Sequence, residues 1–138
     1  MGYLLEFDSS NKILRVTVDG ELTDQGASDL YNSVREFLAS EKVCGGILDL
    51  SPVTVLAVSS ETVRRMAKNP RLFQGAQIRV IVAPRDLDYG LARMFQISRS
   101  EVHNGLHVVH TLNEAYKIHG LRSPSFTSVT RSERKNVA

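Results

Sequence analysis

The chain has 138 residues, of which 42% are hydrophobic and 23% are charged, values that are ordinary for a single globular domain. It contains no long apolar run and no charged segment followed by an apolar stretch at its N-terminus. The sequence therefore predicts neither a membrane span nor a signal peptide. A cytoplasmic location is expected. The single cysteine, Cys44, excludes an internal disulfide and fits a reducing compartment.

The net charge of +2 is unevenly distributed along the chain. Residues 1–61 contain four Lys/Arg and ten Asp/Glu, whereas residues 62–85 contain six Lys/Arg and no acid. The basic stretch has one aromatic residue, Phe73, and no recognised nucleic-acid motif. A solvated helix face is therefore favoured over a nucleic-acid surface, and no nucleic-acid partner is expected.

The first elements in chain order are a hairpin and a helix. Apolar residues 3–7 and alternating residues 13–18 flank turn residues 8–12, which predicts a β-hairpin ended by Asp19-Gly20. Apolar residues then recur at spacings of three and four, which predicts an amphipathic helix over 24–40 with Thr23 or Asp24 as its N-cap.

Strands and helices then alternate to residue 120. The expected elements are a buried strand over 46–50, a helix over 59–68 capped by Ser59 or Ser60, a strand over 77–83, a helix over 86–100 capped by Asp86, a strand over 106–110 and a last helix ended by Gly120. Thr111 and Glu114 match a capping box, in which each side chain accepts a hydrogen bond from the other residue's backbone N–H.

The element order is thus β-β-α-β-α-β-α-β-α. It predicts an α/β fold, one domain over 1–121 with a mixed, mostly parallel sheet of about five strands and about four helices. Residues 122–138 are rich in Ser, Thr and Arg, and are predicted to be a mobile tail outside the core. Phe126 and Val129 are the residues that would anchor this tail.

Two motifs carry a family resemblance. The run Leu48-Asp49-Leu50-Ser51-x-Val53 followed by Ser59-Ser60 resembles the STAS domain of bacterial anti-sigma-factor antagonists. In that family a serine of an Asp-Ser-Ser-Gly sequence is phosphorylated by a kinase that is itself the anti-sigma factor. Here Val58 and Glu61 replace the flanking Asp and Gly, so the resemblance implies the antagonist type of module without its usual phospho-switch.

The run from Ala83 to Phe95, Ala-Pro-Arg-Asp-Leu-Asp-Tyr-Gly-Leu-Ala-Arg-Met-Phe, resembles a motif of the STAS/Sec14-like (SpoIIAA-like) bacterial family, a resemblance that covers residues 1–120. It implies a non-enzymatic regulatory module that binds a protein partner, such as a regulatory kinase or an anti-sigma factor. The Sec14-like relation implies an alternative function, the binding or carriage of a lipid or another small apolar ligand.

The candidate residues for binding a partner or an anion are Asp49, Ser51, Ser59, Ser60, Arg64 and Arg93. Ser60 is the candidate for phosphorylation, although N-capping alone explains a serine pair at a helix start and is the favoured interpretation. For Asp49, hydrogen bonding to the loop through Ser51 or Thr54 is favoured. Arg93 would bind an anion or pair with Asp86 or Asp88.

For the alternative function, a pocket is expected between helices 59–68 and 86–100, with Met66, Tyr89, Leu91, Met94 and Phe95 as candidate residues. Plain core packing explains the same stripe and is favoured.

Catalytic and cofactor motifs are lacking in the sequence. It has no Gly-rich phosphate loop, no Gly-x-Ser-x-Gly elbow and no paired catalytic carboxylates, so we expect neither an enzyme nor a cofactor. The histidines, at positions 103, 107, 110 and 119, lack metal-ligand spacing, so no metal is expected. Because the edges of an open sheet need covering, a homodimer is one assembly that the sequence predicts.

Overall fold

The computed structural model describes residues 2–70, 72–73, 77–99 and 105–131 of the chain. In chain order the elements are β1 (Gly2–Asp8), β2 (Ile13–Thr23), α1 (Asp24–Ser40), β3 (Gly45–Asp49), β4 (Val53–Ala57), α2 (Ser60–Met66), β5 (Arg79–Val82), α3 (Asp86–Ser98), β6 (Leu106–Val109), α4 (Leu112–His119) and β7 (Thr127–Arg131). The predicted α/β order is confirmed, with β4 and β7 added to it. Within the described ranges, no helix is long and apolar enough to cross a membrane.

All the strands belong to one sheet, in the order β6-β5-β3-β2-β1-β7, with β4 paired to β2. Strands β2, β3, β5 and β6 run parallel to one another, β4 runs parallel to β2, and β1 runs antiparallel to both β2 and β7. The mixed, mostly parallel sheet is therefore confirmed. The expected number of about five strands is too low, since the described residues form a sheet of seven.

The course of strand β2 explains why β4 is not predicted from the sequence. The strand does not end at Asp19-Gly20 but continues to Thr23, and its pairing register with β4 shifts between Gly20 and Glu21. Gly20 has φ of 73°, a left-handed conformation that glycine adopts without strain. A turn signal therefore marks a bulge within the strand. The extension beyond it pairs with residues 53–57, which the sequence presents as part of a loop.

The two faces of the sheet are covered unequally. Side chains of successive β2 residues alternate, so that Leu14 and Val16 pack in a core with residues of α1, α2 and α3. Ile13 packs in a second, smaller core with α4 residues that include Ala115. The three-helix face is the one that carries the candidate sites.

Part of the predicted C-terminal tail belongs to the sheet. Residues 127–131 form β7 and pair antiparallel with β1, so the expectation of a tail outside the core is corrected for this segment. Phe126 lies beside Tyr116, with ring centroids 6.3 Å apart, and 4.1 Å from the guanidinium carbon of Arg15. Arg15 in turn pairs with Glu6 at 2.7 Å. Phe126 thus anchors the segment as expected, whereas Val129 is 42% exposed; residues 132–138 lie outside the described ranges.

The ends of α4 are those predicted from the sequence, whereas the start of α3 differs from the prediction. Thr111 and Glu114 form the predicted capping box, and Gly120 ends the helix with φ of 70°. The hydrogen bond from the Thr111 side chain is the main cause that lowers the pKa of Glu114. The predicted cap Asp86 is instead the first residue of α3, and Arg85 stands at the N-cap without a side-chain cap bond.

A pair of glycine substitutions tests the close packing of β3 against its surroundings. A Cβ at Gly45 in β3 would lie 2.8 Å from the carbonyl oxygen of Ile78 and 2.8 Å from Cε1 of His119. Because backbone cannot yield as a flexible side chain can, we expect Gly45→Ala to lower the free energy of unfolding by about 1–3 kcal/mol in urea denaturation. The control Gly90→Ala in α3 meets no atom within 4 Å and should raise it by about 0.5–1 kcal/mol, since alanine favours helix. A Gly45→Ala protein as stable as the wild type would contradict this packing.

Candidate functional site

The start of α2 is tied to the start of α1. Ser59 is the N-cap of α2, and its Oγ accepts a hydrogen bond from the Thr62 N–H at 3.1 Å. The Ser59 N–H donates to Oδ1 of Asp24, the first residue of α1, at 2.9 Å. Of the two serines offered by the sequence, Ser59 is therefore the cap, and a carboxylate from α1 joins it.

Asp24 is a residue of this site that the sequence missed. The hydrogen bond from the Ser59 backbone is the main cause that lowers its pKa, and the Thr62 and Ser59 side chains and the charge of Arg65 act in the same direction. In the sequence Asp24 is only a candidate cap for its own helix. Its contact with a residue 35 positions away leaves no local signal.

The remaining candidates on α2, Ser60 and Arg64, are exposed. Ser60 is the first residue of the helix and stands between Ser59, which binds Asp24, and Glu61, which is also exposed. A phosphate on Ser60 would therefore stand beside an acidic side chain and close to a second one.

Asp49 and Ser51 lie at the carboxyl end of β3. Asp49 is buried, and its Oδ1 accepts hydrogen bonds from the Ser51 N–H at 2.9 Å and the Ser51 Oγ at 2.6 Å. This is the loop interaction that the residue types favour. Thr54, the other partner considered for Asp49, accepts instead through its carbonyl from Arg85, at 2.9 Å.

The start of α3 is held by an ion pair whose carboxylate is buried. Arg85 Nε lies 2.9 Å from Oδ2 of Asp88, which is only 1% exposed. The same guanidinium bonds the Thr54 carbonyl, so Arg85 connects α3 to β4. Asp88 therefore pairs with Arg85 and not with Arg93.

Arg93 is placed apart from the serines of α2. It is half-buried on α3 and donates to the Gln96 side chain, which in turn donates to the Leu106 carbonyl of β6 at 2.5 Å. The structure thus gives Arg93 a partner on its own helix, near the edge strand β6.

An apolar cavity of about 290 Å³ lies on the three-helix face of the sheet. Its floor is formed by residues of β2, β3 and β5, and its walls by α1, α2 and α3. Nearly all of its lining is aliphatic or aromatic, from Leu14 and Leu48 below to Val34 and Leu91 at the sides. The exposed Pro70 is among its lining residues. The three-helix face therefore contains open space where a solid core is the plain expectation.

The cavity includes three of the five predicted pocket residues, Met66, Leu91 and Phe95. Tyr89 instead stacks on His110, with ring centroids 4.2 Å apart, and Met94 is half-buried outside the lining. The contributions of α1, among them Tyr31 and Val34, were missed.

One arginine at the cavity wall fastens α3 to the end of α2. Arg99 donates to the backbone carbonyls of Ala67 and Asn69, each at 3.2 Å, and to that of Met66 at 3.3 Å. These bonds satisfy carbonyls that the end of a helix leaves without partners. The α2 wall is thus held to α3, while its contact with α1 is made by the Ser59–Asp24 bond described above.

Two of the histidines in the described ranges make contacts within the fold. His119 Nε2 lies 3.0 Å from the Gly46 carbonyl oxygen, and burial is the main cause that lowers the pKa of His119. His110 stacks on Tyr89, His107 is exposed, and His103 lies outside the described ranges. Within those ranges no group of three or more His, Cys, Asp or Glu residues could hold a metal ion.

Comparison with known proteins adds a likeness of fold. No protein-family model matches the chain, and no curated protein sequence matches it. Among solved structures the chain is similar to one described as the anti-sigma factor antagonist SpoIIAA in its unphosphorylated form, at 12% identity and a TM-score of 0.49. The match covers 87% of this chain and 99% of that one.

Replacement of Asp24 tests the contact between α1 and α2. Because its pKa is lowered in the folded state, the Asp24 carboxylate stabilises the fold above its ordinary pKa, and this stabilisation is lost as the pH falls through the lowered value. We expect Asp24→Asn to melt at a lower temperature than the wild type near neutral pH, and the difference to disappear once the pH is below the lowered pKa of Asp24. The control Asp29→Asn, on the same helix, should melt close to the wild type. A pH-independent deficit in Asp24→Asn would contradict the electrostatic role.

Proposed function

We propose that the protein is a non-enzymatic, cytoplasmic, STAS-like regulatory module that binds a small apolar ligand in the cavity between α1, α2 and α3. One observation carries this proposal: the face on which the sequence favours solid packing has an apolar space of about 290 Å³. This volume is close to the lower end of the range of small-molecule pockets, roughly 300–1,000 Å³. Both the regulatory role that the family resemblance implies and the carriage of an apolar molecule are compatible with such a site.

The removal of apolar surface from water supports this proposal. The cavity is open to solvent, and its apolar lining offers water few hydrogen-bond partners. A ligand that covers this lining would gain roughly 25 cal/mol for each Å² of apolar surface that leaves water. Because the site exists in the folded state, such binding adds to the stability of that state.

The chemistry of the lining indicates the kind of ligand. The polar side chains at the wall are already engaged: Asp88 pairs with Arg85, and Arg99 bonds the end of α2. Few polar groups remain to fix the orientation of a polar molecule inside. The cavity therefore suits a hydrocarbon chain or ring, held by shape and by removal of apolar surface from water.

A cavity-filling variant tests this function. We expect decanol to bind the purified wild type with measurable heat in titration calorimetry and to raise its melting temperature. Val34→Phe adds an aromatic ring at the cavity wall and should weaken decanol binding about tenfold or more. The control Ile97→Phe adds the same ring at a position that is 58% exposed and should bind like the wild type. Equal binding by both variants, or no binding by the wild type, would contradict ligand binding in this cavity.

A second candidate function is the binding of a protein partner, such as a regulatory kinase or an anti-sigma factor, at the edge formed by β4 and the starts of α2 and α3. Two large apolar side chains are exposed there, Val55 at 51% and Leu87 at 63%. The Arg85 bond to the Thr54 carbonyl holds β4 and α3 together, so this edge is continuous. Exposed apolar side chains beside charged ones are typical of protein interfaces.

We further propose that Ser60 carries no regulatory phosphate, and that the exposed sheet edge of β7 suits pairing in a homodimer.

Substitutions on α2 test this surface. We expect Ser60→Asp and Arg64→Glu to reduce the recovery of a specific partner from cell extract about fivefold or more, because each adds negative charge to the contact face. The control Lys117→Glu, on α4 across the sheet, should leave recovery unchanged. Intact-mass spectrometry of the protein from its own cells reports any phosphate. Unchanged partner recovery by both α2 variants would exclude this surface, and a phosphate mapped to Ser60 would contradict the proposed loss of the switch.

A further inference from the structure

A polar groove lies between α1 and α2 and adjoins the cavity. It is lined by Ser28, Tyr31, Asn32, Arg35, Arg65, Asn69 and Pro70. The four α1 residues follow the spacing of one helix face, and the other three belong to α2 and the chain beyond it. Tyr31 and Pro70 line the apolar cavity as well, so the groove and the cavity meet at these two residues.

The groove carries positive charge. Arg35 and Arg65 are both exposed, and among the described residues that line the groove there is no Asp or Glu. Asp24, outside the groove lining, attracts Arg65 but already accepts hydrogen bonds from Ser59. Arg35 lies with its guanidinium carbon 6.0 Å from the Tyr31 ring centroid, which draws it towards the junction with the cavity.

One hydrogen bond crosses the junction. The Tyr31 hydroxyl donates to the Pro70 carbonyl oxygen at 2.8 Å, which joins α1 to the chain that follows α2. The Tyr31 ring thus has an apolar face towards the cavity, and its neighbour Arg35 lies towards the groove. An apolar space and a cationic space therefore adjoin at Tyr31 and Pro70.

From this arrangement we infer that the ligand is an amphiphile, with a single apolar chain in the cavity and an anionic head group held by Arg35 and Arg65 in the groove. This inference rests on the proposed function of the cavity and names its class of ligand. Guanidinium groups suit carboxylate and phosphate oxygens, with which they form charge-assisted hydrogen bonds. Exposed arginines contribute modestly to affinity, so the cavity supplies most of the binding and the groove supplies the preference for an anion.

The test compares three probes of equal chain length by titration calorimetry at low ionic strength: decanoate, decanol and decyltrimethylammonium. We expect decanoate to bind the wild type about five- to tenfold more tightly than decanol, and the cation to bind more weakly than either. Raising the salt concentration should reduce the preference for decanoate, because the arginines are exposed to solvent.

Variants locate the head group. Arg35→Gln and Arg65→Gln should each lose most of the preference for decanoate while binding decanol like the wild type, and their melting temperatures report that they are folded. The matched control Arg64→Gln, next to Arg65 but outside the groove lining, should keep the preference.

The outcomes separate the two proposals. If decanol binds but decanoate binds no better, or if the preference survives in both groove variants, the inferred head-group site is wrong and the cavity proposal stands. If the cationic probe binds as tightly as decanoate, the inference is wrong as well. If none of the three probes binds, the proposed function fails together with the inference.

Discussion

The fold depends on strand β2, because this one strand holds three others in place. Over its first half it pairs with β1 on one side and β3 on the other, and beyond Gly20 it pairs with β4. The left-handed backbone of Gly20 lets the strand pass through a bulge without ending. The extension leads directly into α1 at Thr23, while β4 leads into α2. The starts of these two helices are therefore brought side by side, close enough for Asp24 to bond Ser59.

The cavity follows from the way the helices are fastened. Arg99 joins α3 to the end of α2, and Arg85 joins α3 to β4, so α2 and α3 form one wall. α1 packs over β1 and β2, with Phe37 against Phe7 at a centroid distance of 5.3 Å. The described contacts across the seam between α1 and this wall include two hydrogen bonds, one at each end: Ser59 to Asp24 and Tyr31 to Pro70. Such polar contacts hold two helices at a fixed distance without filling the space beneath them with side chains.

The sequence predicts the parts of this structure that local patterns encode. The bounds of α1 were predicted to the residue, because its apolar residues recur with helical period and Thr23 precedes them. Likewise α4 has a capping box at one end and a glycine at the other. Strands β4 and β7 were missed because β4 is mostly exposed and β7 is mostly polar, so neither has the buried apolar run of β5. Each is defined by a distant partner, β2 for the first and β1 for the second. In the cavity, Met66, Leu91 and Phe95 could be named from their helices, but Tyr31 could not, since only the tertiary structure brings α1 over the same space.

Tertiary contacts, which the sequence does not show locally, also explain why the basic stretch of residues 62–85 does not form one surface. Arg79 is buried, and Arg85 is bound to Asp88. Arg64 and Arg65 are exposed at adjacent positions of α2, and of these two only Arg65 lines the groove.

Helix α2 belongs to both proposed functions. Its inner side, with Val63 and Met66, lines the cavity, while Ser60 and Arg64 are exposed to a partner. A ligand in the cavity would contact α2 from below, so occupancy of the cavity and recognition at the surface would act on the same short helix. Since only a few bonds fix α2 to α1, differential contact with a ligand is the physical means by which a binding event inside could bias the surface outside.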